Sequence, residues 1–577
     1  MDSRFRLVSL IVDAVLEDVT IGERRQTLHK MTNGFGLGGA YSTTLGRIRE
    51  QKGNKRKLGM EALMWISRSK RPLRAEELCH ALAVQVRTTD LDMDDVPSIR
   101  TLLSCTLGLV TVDEQASTVH LIHPTLQEHL TTSPGLFTTP LSMAEICLTY
   151  LNFQSICELS TTLDALPSIP PFLHYASCYW GFHAREEMTE NARHLALQHL
   201  VRDANHISAD ILLHEPSVSF LSWWDLSQGR RPDLQGFTGL HCISYMGITE
   251  IAISMVDMRR WDMNGRDSNG ATPLIWAAKY GNYTLAKLYL ERGGADPTLS
   301  DKQGLTPLTH AAKAGQARVV ELLLGQMDVN PDSPDRCGRT PLSHAAGSGH
   351  KGVVEILLKQ VDVNSGSSDR YGKTPLSNAV GSRHKGAGAL LGRVGVKPDS
   401  SDEYGRTPLS YAAGSGHEGV VEILLERPDV NHDSSDMCGR TPLSRAARSG
   451  HEGVVKLFLE QECVNPDSSD EYGRTPLSYA AGSGHEGVVK ILLERENVDP
   501  DSSDRHGRTP LSHATRSGHD GVEILFQLVD VKPDSSAVYG QTPFSLATEP
   551  GRIGLAKLLS EPRPFGHRTS PESDVPQ

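Results

Sequence analysis

Residues 402–421 read Asp-Glu-Tyr-Gly-Arg-Thr-Pro-Leu-Ser-Tyr-Ala-Ala-Gly-Ser-Gly-His-Glu-Gly-Val-Val, and the same string returns unchanged at 470–489. The separation of 68 is two periods of a shorter pattern. Thr-Pro recurs at Thr272, Thr306, Thr340, Thr374, Thr407, Thr441, Thr475, Thr509 and Thr542, at intervals of 33 or 34. A degenerate copy, Thr238-Gly239-Leu240-His241, lies 34 residues before Thr272. Self-similarity at such a period marks an array of small units, each too short to bury its apolar face except against its neighbours.

The chemistry of one unit follows from its residue types. Thr accepts a hydrogen bond from an orphan N–H at a helix start, and Pro at the first helical position sacrifices none. In the unit at Thr407, Leu409, Ala412 and Ala413 give a narrow packing face, and Gly414 or Gly416 stops the helix. A second helix over about Glu418 to Glu426 places Val420, Val421, Leu424 and Leu425 on one side. It is too short to stand alone. The polar Asp-Val-Asn-x-Asp-Ser-Ser-Asp-x-x-Gly segment that follows is rich in turn formers and is expected to project as a hairpin.

The pattern Asp-x-x-Gly-x-Thr-Pro-Leu-x-x-Ala-Ala-x-x-Gly-His-x-x-Val-Val resembles the ankyrin repeat. The resemblance covers residues 236–560 and implies a solenoid of about nine to ten units with a concave protein-binding surface. The His that the family carries after Thr-Pro-Leu is mostly Ser here, as at Ser343, Ser410 and Ser478. The His of Gly-His, as at His350, His417 and His485, is therefore expected to lack its counterpart, weakening the hydrogen-bond network along the array. The second helix of the Thr374 unit reads Lys-Gly-Ala-Gly-Ala-Leu-Leu-Gly from Lys385, and its glycines predict a weak point over 384–396. Positions that change while the framework stays fixed are the expected carriers of specificity: Arg336, Cys337, Arg370, Tyr371, Glu403, Tyr404, Met437, Cys438, Glu471, Tyr472, Arg505 and His506, ahead of each turn Gly.

Upstream, Met60–Ser69, Ala75–Val84 and Pro97–Leu107 read as three helices. Gly108–Asp113 and Thr118–His123 alternate as a hairpin, and Pro124 opens a further helix through Leu130. The words Trp65-Ile66, Arg71-Pro72-Leu73-Arg74-Ala75-Glu76-Glu77-Leu78 and His123-Pro124-Thr125-Leu126-Gln127-Glu128-His129-Leu130 resemble the winged helix downstream of the NTPase in fungal NACHT-type STAND proteins. That segment is also labelled after GPI inositol-deacylase, whose chemistry nothing here supports. Ile146–Leu151 and Pro171–Trp180 resemble the helical linker of such proteins, and residues 5–48 the arm after their nucleotide fold. The expected organisation is mainly α: a helical arm at 1–58, a winged helix at 59–135, a helical linker at 136–235, the repeats at 236–560 and a disordered tail at 561–577.

No G-x-x-x-x-G-K-[ST] occurs in the chain, so the loop and Lys that would cradle a nucleotide's phosphates are missing. Gly372-Lys373-Thr374 is the nearest approach and belongs to a repeat turn. Gly34–Gly39 satisfies G-x-G-x-x-G, but it follows the charged stretch Arg24–Lys30 where a dinucleotide site needs a strand. Neither H-E-x-x-H nor G-x-S-x-G appears, and no motif in 140–235 supports a hydrolase. His344 and His350 recur with the repeat and read as framework. Triplets such as Ser348-Gly349-His350 lack an acidic orienter and an oxyanion hole. Asp402-Glu403 reads as a solvated pair with no raised carboxyl pKa. No catalytic, cofactor or metal residues are therefore assigned.

The formal charge is -12, divided as -5 over 1–234 and -7 over the rest, which speaks against nucleic acid and anionic membrane as partners. In the third helix only Arg100 is basic. The run Lys52-Gly-Asn-Lys55-Arg56-Lys57 is expected to be a solvated linker. The 9 Cys form no C-x-x-C pair, which fits a reducing compartment. The expectation is a soluble cytoplasmic chain, with nuclear import open, of undetermined oligomeric state. Its function is expected to be non-enzymatic binding of a protein partner. The alternative is the sensor half of a NACHT/STAND-type nucleotide-driven receptor whose NTPase is absent, since Met1 falls in the arm that follows such a domain.

Overall fold

The computed structural model describes residues 20, 36–86, 88–132, 137, 142–159, 169–202, 206–214, 235–382, 390–392, 396–518, 525 and 542. They fall into two compact units that divide after Lys302. None of the described helices is long and apolar enough to cross a membrane.

The first unit opens with helices α1 (Gly36–Glu50) and α2 (Asn54–Arg68). Strand β1 (Leu73–Arg74), α3 (Ala75–Ala83) and α4 (Ile99–Cys105) follow, then the hairpin β2 (Val110–Asp113) and β3 (Thr118–Leu121), and α5 (Pro124–Thr132). The strands pair antiparallel in the order β1-β3-β2, with Leu73 and Val112 flanking Val119. This is a winged helix. Its hairpin turns where the Asp113 carboxylate accepts from the backbone N–H of Gln115 and Ala116.

Two readings of this region are corrected. The basic run is solvated but is not a linker: Gly53 takes a left-handed conformation at φ 63°, and the helix starts at Asn54, not Met60. Lys55, Arg56 and Lys57 are good helix formers whose charges stay exposed while the helix grows through them. The break at Arg71–Leu73 also hides a strand. Glu77 is buried, receives both arms of the Arg71 guanidinium at 2.8 and 2.6 Å, and accepts from Arg74 N–H at 2.8 Å. The start of α3 and the end of β1 are thereby fixed together.

The helical segment that follows includes α6 (Met143–Leu151), a four-residue helix at Gln154–Cys157, α7 (Leu173–Glu186), α8 (Glu190–Arg202) and α9 (Ile207–His214). An aromatic core joins it to the winged helix. Trp65, fully buried, stands edge-on to Phe172 at 5.5 Å and to Tyr175 at 6.0 Å, and Tyr150 meets Phe172 at 5.2 Å. The Tyr175 hydroxyl accepts from Lys70 N–H at 3.1 Å and bonds His183 Nε2 at 2.9 Å. Burial, with Lys70 nearby, lowers the His183 pKa to about 4. The unit ends in two helix pairs, Gly239–Met246 with Thr249–Asp257 and Pro273–Lys279 with Tyr283–Leu288. The degenerate copy at Thr238 is thus a repeat in shape as well as in period.

The second unit repeats one construction. In the Thr407 copy the first helix is Pro408–Ser415 and the second is Glu418–Leu425, with Gly416, not Gly414, at the left-handed stop. The Thr407 hydroxyl accepts from Ser410 N–H, a cap worth about 1 kcal/mol. Leu409, Ala412, Ala413, Val421 and Leu424 are fully buried, and Val420 is half-buried. Successive first helices pack on one another, as do successive second helices over 418–493. The small Ala-Ala pairs allow the close approach. The weak point expected over 384–396 lies outside the described residues apart from 390–392 and 396. The second helix of the Thr509 copy, the helices of the Thr542 copy and the tail at 561–577 also lie outside them.

Candidate functional site

Each projecting turn is built around one buried Asp. In the Thr475 copy, Asp470 Oδ1 accepts from the N–H of Tyr472 and of Arg474, both at 2.8 Å. Its Oδ2 accepts from Arg474 Nε at 3.0 Å, Arg474 Nη2 at 2.8 Å and the Tyr479 hydroxyl at 2.6 Å. Asp335, Asp402, Asp436 and Asp504 hold their turns the same way, each joined to the Arg four residues on. Neighbouring turns are stitched together by one backbone bond, such as Glu471 N–H to Cys438 O at 3.0 Å and Arg505 N–H to Tyr472 O at 2.8 Å.

The reading of Asp402 as a solvated carboxylate is therefore corrected, because it is buried. Burial pushes its pKa up, but the Tyr411 hydroxyl and the amide and guanidinium of Arg406 outweigh that and hold it below the usual range. Asp470 is held low by the same balance, with Tyr479 and Arg474 against burial. Asp335 and Asp504 are also lowered, their turn bonds and the adjoining Arg and His overcoming desolvation.

The structure brings the twelve specificity candidates onto one ridge of turns. Arg336, Arg370, Tyr371, Glu403, Tyr404, Met437, Glu471, Tyr472, Arg505 and His506 are exposed. Cys337 and Cys438 are half-buried, and their carbonyls carry backbone stitches to the next turn. Tyr404 and Tyr472 lie back against their own copy, with Arg406 and Arg474 over their rings at 4.6 and 4.8 Å.

A second row of candidates escaped the sequence reading. Nine residues after the turn Asp stands the most variable residue of the Thr-Pro-Leu-Ser-x-Ala stretch: His344, Asn378, Tyr411, Arg445, Tyr479 and His513. It projects from the first helix beside the turn, so His344, Tyr411, Tyr479 and His513 bond the buried Asp of their own copy. Trp276 does the same with Asp267 in the first unit. Its variability within a fixed frame was the signal. Tyr411 and Tyr479 thereby sandwich the framework guanidinium against the tip tyrosine, with Arg406 5.0 Å from Tyr411 and Arg474 4.8 Å from Tyr479. The two identical sequence blocks are thus two identical Tyr-Arg-Tyr clasps. Gly372-Lys373-Thr374 is a turn of this kind, with Lys373 N–H on Asp369 and Thr374 capping a helix.

Three of the Gly-His histidines keep carbonyl partners, against expectation, although at His417, which the expectation also named, Nε2 makes no such bond among the described residues. His350 Nε2 meets Lys313 O at 3.1 Å, His451 Nε2 meets Gly414 O at 3.2 Å, and His485 Nε2 meets Arg448 O at 2.9 Å. Each ring reaches back to the end of the preceding first helix, so the Ser substitution does not touch this bond. The family's other His survives as His241, which bonds Thr238 and reaches Ala271 O of the next copy at 3.1 Å. Ser is too short for that reach. Its hydroxyl pairs with the capping Thr instead, as Ser343 does with Thr340 at 3.3 Å.

With this geometry the comparisons agree. The family model for ankyrin repeats (3 copies) matches residues 197–301, 283–367, 362–436 and 426–504, more than half of the chain, and the chain belongs to the ankyrin-repeat family. The model for the GPI inositol-deacylase winged helix domain matches residues 48–138. No curated protein matches the chain. The repeats support a role in protein interaction.

Proposed function

We propose that the chain is a non-enzymatic interaction protein whose repeats hold a protein partner on the face formed by the turns and first helices. The observation that carries this reading is the pairing of the two variable rows. The tip residues and the residue nine after each Asp sit side by side, on a backbone that the buried Asp of each copy holds fixed. Aromatic and Arg side chains on a preorganised frame are what binding hot spots are made of. Arg100 on α4 is exposed, and the segment just before it in sequence carries Asp90, Asp92, Asp94 and Asp95, a composition that does not favour phosphate.

The test is capture of the partner from extract with Tyr404→Ala/Tyr472→Ala, compared with Ile423→Ala on an exposed second-helix position. The double variant should lose the partner while the Ile423 variant keeps it. Equal capture by both would remove the assignment.

A second reading is favoured by the winged helix that precedes the repeats, as in the receptors it resembles: the chain would be the sensor half of a nucleotide-driven switch. Immunoblotting the native polypeptide separates the two, since a band near 63.0 kDa supports a free-standing binder and a much larger one the receptor.

A further inference from the structure

The Thr441 copy breaks the pattern of the site just described. The residue nine after its turn Asp is Arg445, where Tyr411 and Tyr479 stand in the flanking copies. Those tyrosines donate to their Asp at 2.7 and 2.6 Å, whereas Arg445 Nε stays 3.8 Å from Asp436 Oδ2. Asp436 is already engaged by Arg440 Nε at 3.0 Å and by two backbone amides. Among the described residues Arg445 Nε, an atom that is itself buried, has no hydrogen-bond partner. Asn378 is the other copy whose residue at this place leaves an N–H unused.

Two guanidinium groups thus share one carboxylate, and Arg445 is only 20% exposed. Desolvation, followed by Arg440 and Arg406 working against Asp436, lowers its pKa, as expected for a cation short of counter-charge. One helical turn on, exposed Arg448 lies 5.9 Å from the Tyr479 ring. The tip of this copy is Met437-Cys438, without the Glu carried by the tips on either side, Glu403 and Glu471.

We propose that Arg445 and Arg448, walled by Tyr411 and Tyr479, receive a side-chain carboxylate of an extended acidic segment of the protein partner. The inference rests on the function proposed above and names the partner's chemistry. A guanidinium presents a planar fork that matches a carboxylate, and the flanking rings exclude water from the pair. Arg440, Arg445 and Arg448 against Asp436 leave two cationic charges, which the rim carboxylates Glu403 and Glu471 oppose, so a monoanion is repelled less than a phosphate dianion.

Three short fluorescein-labelled peptides test this by fluorescence polarisation against the full chain: one of Glu, Gly and Tyr, the same with Gln for Glu, and the same with phosphoserine for Glu. The Glu peptide should bind about tenfold or more tighter than the Gln peptide and lose that advantage in salt. Arg445→Tyr, which installs the residue of the flanking copies, should abolish the preference while raising the melting temperature. Arg495→Gln, an exposed change just past the second helix of the Thr475 copy, should leave binding as it was. Equal binding of the Glu and Gln peptides, or an Arg445→Tyr chain that still prefers Glu, overturns the proposal. Tighter binding of the phosphopeptide overturns its carboxylate assignment. If the peptides fail while the chain still captures its partner through Tyr404 and Tyr472, this inference falls and the proposed function stands. Loss of both would remove the function as well.

Discussion

Asp470→Ala separates a buried anchor from an ordinary loop carboxylate. The side chain is fully buried and accepts from two backbone amides, the Arg474 guanidinium and the Tyr479 hydroxyl. Alanine leaves all of these without their acceptor. A buried polar group stripped of its partner costs about 1–3 kcal/mol. Arg474, 30% exposed, can turn toward water and recover part of its loss. The two amides are fixed inside the turn and cannot. A local cost of about 3–5 kcal/mol follows, the range found when one partner of a buried pair is removed. Asp470→Asn should cost about half as much, because its carbonyl can still receive both amides. Hydrogen exchange of the peptide spanning 470–480 should accelerate by roughly a hundredfold to a few thousandfold in the Ala variant, as each factor of ten corresponds to about 1.4 kcal/mol. Asp402→Ala should do the same over 402–412, since the same residues make the same bonds there. Exchange within about threefold of the unaltered chain at both sites would refute the anchor role and return these turns to the solvated loops that the sequence suggested.

Gly450 takes φ 77°, and a Cβ there would stand 2.5 Å from His485 Nδ1. Gly450→Ala should therefore destabilise the array by about 2 kcal/mol or more, and part of the loss should return in the Gly450→Ala/His485→Ala pair, measured as a double-mutant cycle in urea. Stability should fall in two acid windows. His183, His241 and His344 are held to about 4 in the folded chain, chiefly by burial, against about 6.5 unfolded. Their stabilisation is complete above about pH 6.5 and is lost as pH falls toward 4, by up to about 1.4 kcal/mol per pH unit for each histidine. The lowered Asp335, Asp402, Asp470 and Asp504 act below that, their contribution present above about pH 3.9 and lost as pH falls through their folded values. Urea midpoints across pH 3–7 check both, and a flat profile between pH 4 and 6.5 would contradict the buried neutral histidines.

What the sequence made legible was whatever a local rule governs. The Thr cap, the Pro after it, the Ala-Ala face and the period need only residues near one another, and the helices stand where those rules put them. The hairpin of the winged helix was legible through its alternation. The strand at Leu73–Arg74 was not, because two residues have no periodicity and its partner Val119 is distant in sequence. Asp402 looked solvated for a similar reason: a carboxylate in a polar segment gives no local sign that Tyr411, nine residues on, will cover it. The tips were legible as variable positions. Arg445 and its counterparts were equally variable, but only the packing of the first helix beside the turn shows that both rows share one face.

The central claim is that this face, and not the outer row of second helices, meets the partner. The most direct measurement is photo-crosslinking in cell extract, with a benzophenone side chain placed at Tyr472 in one chain and at Ile423 in another, both positions being exposed. The account predicts a discrete adduct from Tyr472 and none from Ile423. An adduct from Ile423 with Tyr472 silent would place the partner on the other side of the array and contradict it.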